Sequence, residues 1–151
     1  MISARKESIF RACRHYLETK LNSLNGELDT IKDALQSETK STAGDKHETG
    51  RAMLQLERER FGQQLRQLEN TMRLLDKIPL DVSTPSVTLG SLVKTEMVDF
   101  FMAIAIGKIA IDGKPVFCIS MQSPIGQQLK GKKKGDAILF NGKTLHIIAI
   151  E

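Results

Sequence analysis

The sequence predicts an α+β protein. An antiparallel α-helical coiled-coil hairpin is expected over residues 1–78, and an antiparallel sheet domain with one short helix over residues 79–151. Three observations predict it. Apolar residues recur at heptad spacing in two stretches separated by a short polar segment. The pattern breaks at "IPLDVSTPS", where prolines and small polar residues mark the entry to a new domain. Beyond it, strand-like runs are punctuated by Asp-Gly and Asn-Gly, the pairs that favour tight hairpin turns.

The first seam runs through Leu17, Leu21, Leu24, Leu28, Ile31 and Leu35, in alternating steps of four and three, with Phe10 one heptad earlier and the small Cys13 near the alternate position. The second runs through Leu54, Phe61, Leu65, Leu68, Met72 and Leu75, interrupted by Arg58. Two seams of similar length joined by a short polar segment close most economically as an antiparallel pair. The bend falls near residues 37–47 and the acidic tip near 38–48. At about 1.5 Å per residue such an arm is on the order of 40 Å long, and it buries one stripe rather than a core.

In the second half, strand-like segments cover 87–93, 98–106, 109–111, 116–121, 137–140 and 144–150. Asp112-Gly113 and Asn141-Gly142 are the hairpin turns. One short helix interrupts them in "SPIGQQLKG": Ser123 suits an N-cap, Pro124 the first helical position, and Gly131 a left-handed stop. The helix is expected to cover one face of a twisted sheet.

The totals exclude several classes. A chain of 151 residues with a net charge of +4 is mildly basic, which permits an acidic or nucleic-acid partner without requiring one. Cys13 and Cys118 belong to no CxxC or Cys/His cluster, so neither a zinc site nor a disulfide scaffold is indicated. The start lacks the apolar run of a signal peptide, and the longest apolar run, 100–106, is far short of a membrane-spanning helix. A cytoplasmic protein without a membrane partner is expected.

Asp45 and Glu48 are the candidate chemical groups. Three residues apart at a helix start, they share a face, and hard oxygen ligands suit Mg²⁺. The same pair also fits a capping box, with Asp45 as cap and Glu48 returning a bond. Glu38, across the turn, is an auxiliary acid or a solvated residue. His47 stands alone and reads as an exposed turn residue. Arg51, Arg58 and Arg60 are nucleic-acid or protein contacts, or ordinary helix-surface charge beside Glu57 and Glu59. Lys130, Lys132, Lys133 and Lys134 form the densest positive run. They are a basic patch able to meet an acidic protein surface or emerging RNA, or a solvated loop; the run lacks the interleaved aromatics of a base-stacking platform.

The strings "VTLGSLV", "ISMQSPIGQQLKGKKKGDAILF" and "GKTLHIIAI" resemble the carboxy-terminal domain of the bacterial Gre transcript-cleavage factors, and "SPIG..L.GK..GD" over Ser123 to Asp136 is the specific part. Gly44, Asp45 and Glu48 resemble the acidic tip motif "GD..E" of the Gre coiled coil, and Phe61 matches an aromatic position of its second helix. The likeness implies an FKBP-like sheet domain that docks on RNA polymerase, with Gln122, Ser123, Pro124, Ile125 and Gly126 as docking residues. It implies a coiled coil inserted through the secondary channel, whose Asp45 and Glu48 share Mg²⁺ with the polymerase and stimulate cleavage of backtracked transcripts. On this reading the chain is an accessory factor with no active site or cofactor of its own.

The sequence departs from the family at Thr49, Gly50, Arg51 and Ala52, where the family reads "NAEY", and at Gln122, commonly Asp or Asn. A non-cleaving secondary-channel regulator therefore stands as the alternative, and a coiled-coil adaptor unrelated to polymerase as a third reading. Prolyl isomerase activity is not expected. The chain has no Trp and only Tyr16, in the coiled coil, while Phe100, Phe101, Phe117 and Phe140 read as core.

Overall fold

The computed structural model describes residues 2–39, 45–82 and 84–151, and the side chains of 38, 39 and 45–47 lie outside that description. Two long helices come first, α1 (Ala4–Thr39) and α2 (Asp45–Asp76), packed as a hairpin. Then follow β1 (Leu92–Thr95), β2 (Asp99–Met102), β3 (Gly107–Ile111), β4 (Lys114–Ile119), α3 (Pro124–Leu129), β5 (Ala137–Phe140) and β6 (Lys143–Ile150). Two compact units emerge: residues 16–73, helical throughout their described residues, and residues 1–15 with 74–151.

In the helical unit, burial follows the heptads. Leu17, Ile31 and Leu35 are buried and Leu21, Leu24 and Leu28 half-buried, while most residues between them are exposed. The second seam is half-buried at Leu54, Phe61, Leu65, Leu68 and Met72, and the interrupting Arg58 is exposed. A two-helix arm has no third layer to close over its stripe, which is why so few of its residues are fully buried.

In the larger unit the strands form one six-stranded sheet in the order β3-β4-β2-β1-β6-β5. The sheet is mixed rather than wholly antiparallel, because β2 and β4 run parallel, Phe100 opposite Phe117 and Phe101 opposite Cys118. After β2 the chain crosses to β3 one position farther out, and the tight β3–β4 hairpin brings β4 back into the gap. Both predicted hairpin turns have the required left-handed backbone: Asp112 and Gly113 at φ 53° and 78°, Asn141 and Gly142 at 51° and 77°.

Both faces of the central strands are covered, so all four residues of β2 are buried without alternation. One face packs Val93, Phe100, Met102, Leu129, Ile138, Leu145 and Ile147 into the main core. On the other, Cys118 meets Cys13 of α1, their Sγ atoms 3.3 Å apart. The first turn of α1 is tied to this unit by three side chains. Ser3 caps the helix by accepting from the Lys6 amide (3.1 Å) and donates to Glu151 Oε2 (3.1 Å). Arg5 pairs with the fully buried Asp99 at 2.8 Å. Lys6, itself buried, donates to the Leu80 carbonyl at 2.9 Å.

At the opposite end of the sheet the primary amide of Gln128 on α3 bonds the backbone of Leu139 on β5 twice, accepting from its N–H (2.6 Å) and donating to its carbonyl (3.0 Å). No helix among the described residues is long and apolar enough to cross a membrane.

Candidate functional site

Four groups of residues were singled out by sequence, two on α2 and two around α3. The tip acids lie at the loop end of the helical unit. Asp45 is the first residue of α2 and Glu48 the fourth, one helical turn apart and so on one face. The Glu48 side chain is exposed. The side chains of Glu38, Asp45 and His47 lie outside the described residues, so the geometry of the acid pair is not drawn. An exposed carboxylate with a second one turn away supplies hard oxygen donors, the type Mg²⁺ takes, but two such ligands fall short of a cage. Among the described residues no cluster of three or more His, Cys, Asp or Glu is placed to hold a metal.

Arg51 behaves differently from a solvated surface cation. Its Nη1 donates to the Leu35 carbonyl of α1 at 3.4 Å, so it ties the two helices together one turn beyond Glu48. Arg60 lies over the Phe61 ring, 5.1 Å from its centroid. Arg58 is exposed and lines a groove with Lys32, Gly62 and Arg66.

The turn at Gln122–Gly126 is built by local bonds. Ser123, the N-cap of α3, accepts from the Gly126 N–H at 3.1 Å and donates its hydroxyl to the Ser120 carbonyl at 2.7 Å. Gly126 is buried against the preceding loop: a Cβ there would stand 2.1 Å from the Ser120 carbonyl oxygen. Leu129 is fully buried in the core and Ile125 packs against it. Gly131 and Gly135 take positive φ (80° and 92°), and the Asp136 carboxylate accepts from the Lys133 N–H at 2.8 Å. Much of the "SPIG..L.GK..GD" string is therefore the wiring of a helix and the turn after it. Gln122 and Pro124 are exposed and Ser123 and Ile125 half-buried, and the Gln122 side chain joins the wiring as well, its Oε1 accepting from the Ser120 hydroxyl at 2.6 Å.

The lysine run is pinned by its backbone to the segment entering the sheet: Val87 N–H donates to the Lys132 carbonyl (2.8 Å) and Gly131 N–H to the Val87 carbonyl (2.9 Å). Lys130, Lys133 and Lys134 are exposed and Lys132 half-buried, and none has an ion pair among the described residues. The run and the Gln122–Gly126 turn flank the same short helix, whereas the tip acids belong to the other unit.

Sequence reasoning missed two constellations. The Arg5–Asp99–Lys114 cluster joins residues from α1, β2 and β4, with Lys114 Nζ 2.8 Å from Asp99 Oδ1, and no local motif announces it. Phe117 and Phe140 were expected in the core, like Phe100 and Phe101. They do pack against the main core, but they are only half-buried, and β4 and β5 bring their rings together in the lining of an open pocket.

No protein-family model and no curated protein matches the chain. Among solved structures, the one described as "Structure of the transcription factor Gfh1" aligns over 90% of this chain and 91% of its own, at 22% identity and a TM-score of 0.36. A superposition that loose does not fix a shared fold.

Proposed function

We propose that this chain is a transcription factor that docks on RNA polymerase through the Gln122–Gly126 turn and presents its helical hairpin to the secondary channel. There Asp45 and Glu48, with Glu38 as auxiliary, help hold a Mg²⁺ shared with the polymerase and stimulate cleavage of backtracked transcripts. The observation that carries the reading is the division of labour around "SPIG..L.GK..GD": Ser123, Gly126 and Asp136 build the turn, Gln122 braces it by accepting from the Ser120 hydroxyl, and the exposed surface of Gln122 and Pro124 is the part a partner can reach. The exposed Glu48 supports the second half of the reading. Bound there, the metal would supply charge stabilisation and an activated water. This chain's own contribution is to orient carboxylate oxygens on a helix end.

Lys130, Lys132, Lys133 and Lys134 supply a positive rim beside the docking turn, suited to an acidic polymerase surface or an indirect contact with nascent RNA. A second reading, a channel binder that regulates transcription without cleavage, is favoured by Arg51, whose guanidinium is used to clamp the helices where the Gre motif carries an acid. The test is cleavage of arrested elongation complexes by the native protein and by Asp45→Asn with Glu48→Gln, alongside competition for polymerase. Cleavage by the native protein alone, with equal competition by both, is expected. Equal cleavage by both would remove the metal-holding role; no cleavage by either, with binding retained, would favour the second reading; and no polymerase binding would leave the adaptor.

A further inference from the structure

The sheet unit carries a second surface feature, separate from the Gln122–Gly126 turn. A pocket of about 190 Å³ opens between the β3–β4 hairpin and the β5–β6 hairpin. Its floor is aromatic. Phe117 and Phe140 meet edge to face with centroids 5.0 Å apart, and the fully buried Phe100 backs Phe140 at 5.1 Å, so the rings are held from behind. Val98 and Met97 form an apolar wall, and Met97 is 48% exposed, leaving this surface in water.

The rim is positive. Lys108 and Lys143 line the mouth, both exposed and without an ion pair among the described residues. The acids nearest in sequence to the Met97–Val98 wall are already engaged: Glu96 accepts from the His146 N–H, and Asp99 pairs with Arg5 and Lys114. An apolar floor under uncompensated positive charge selects an apolar group carried between carboxylates.

Size and shape narrow the occupant further. Sites for cofactors and drug-sized molecules run roughly 300–1,000 Å³, so this pocket suits a single large side chain. The two rings stand 69° from parallel and offer no slot in which a base would stack, which disfavours nucleic acid. One lining residue, Lys108, lies on β3, which ends the sheet and pairs on one side only. An extended segment can lie along that free side and direct one side chain into the pocket.

We propose that this pocket is a docking site for an extended acidic segment of a partner protein, with one large apolar side chain seated on Phe117 and Phe140 and flanking carboxylates meeting Lys108 and Lys143. The proposal does not depend on the polymerase reading.

The test is an amide-resolved NMR titration of the full chain with a capped peptide bearing a central phenylalanine flanked by glutamates. Saturable shifts confined to Val98, Phe117, Phe140, Leu145 and the β3 amides are expected. Replacing the phenylalanine by alanine, or making Lys108→Gln with Lys143→Gln, is each expected to weaken binding about tenfold, with an unchanged thermal melt for the protein variant. Absence of saturable shifts, shifts centred elsewhere, or affinity unaffected by both changes would overturn it. So would tighter saturation of the same amides by a single-stranded oligonucleotide, which would make the site a nucleic-acid contact.

Discussion

Cys13 Sγ and Cys118 Sγ lie 3.3 Å apart, two reduced thiols from residues 105 positions distant in sequence, meeting in a fully buried contact between α1 and β4. The bond to Cys13, and then burial, push the Cys118 thiol well above its ordinary range, so almost none of it is thiolate at neutral pH. Nucleophilic reactivity belongs to the thiolate. Cys13 and Cys118 are also both buried out of a reagent's reach, so both thiols should react with an aromatic disulfide reagent on the order of a hundredfold or more slowly in the native protein than in denaturant. Stopped-flow measurement of thiol release checks this; rapid labelling of either residue in the native state would contradict the contact.

Asp99 is fully buried between Arg5 and Lys114, whose side chains are 19% and 38% exposed. Asp99→Asn leaves the less exposed Arg5 without its charge partner and should cost about 3 kcal/mol in urea unfolding. Lys114 is half-buried but about twice as exposed as Arg5, so Lys114→Gln should cost less, about 1 kcal/mol. Comparable losses for both would mean that the buried pair is not the dominant tie.

Glu96 gives the protein a predictable acid response. The His146 N–H donates to both carboxylate oxygens, at 3.1 and 2.9 Å, and holds the group below the ordinary carboxylate range. For a depressed carboxyl, the stabilisation is complete above the unfolded value and is lost as pH falls through the lower folded value. Glu96→Gln should therefore melt below the native protein at neutral pH, and the gap should close as pH drops beneath the carboxylate range. A gap independent of pH would exclude this origin.

The docking turn needs variants that separate folding from binding. Ser123→Ala removes the cap of α3 and should cost about 1 kcal/mol. Gly126→Ala places a methyl 2.1 Å from the Ser120 carbonyl oxygen and should cost about 2 kcal/mol or more. Pro124→Ala touches an exposed side chain and should leave the melt nearly unchanged while weakening polymerase binding; Gln122→Ala also removes the acceptor of the Ser120 hydroxyl, so it should cost up to about 1 kcal/mol as well as weakening binding. Unchanged binding by both would move the docking surface elsewhere.

How much of this was readable in advance depended on the range of the interaction. The heptads at Leu17–Leu35, the two hairpin turns, the Ser123 cap with Pro124 behind it and the left-handed Gly131 are local signals, and each appears in the structure. The expected strand over 87–93 begins only at Leu92, because Gly90 turns at φ 90° with no room for a Cβ beside the Pro79 carbonyl oxygen. The run 98–106 yields only Asp99–Met102 as β2, since continuous apolarity reports burial on both faces and not where pairing stops. The parallel β2–β4 pair, the Cys13–Cys118 contact and the Phe117–Phe140 pocket join distant segments, and residue pattern carries no term for them. At the candidate site, the turn residues were legible because helix starts obey local rules; the engagement of Arg51 with Leu35 across the hairpin was not.

The paired bonds between Gln128 and Leu139 bear on how the molecule behaves among copies of itself. A primary amide offers the same donor and acceptor as a peptide group, so one glutamine impersonates a neighbouring strand and occupies the groups through which a second sheet would recruit β5. With Leu139 60% exposed beside it, that border would otherwise be both sticky and able to pair. The amide thus acts as a stopper on the β5 border, occupying at Leu139 the pair of backbone groups that a strand of another copy would need there.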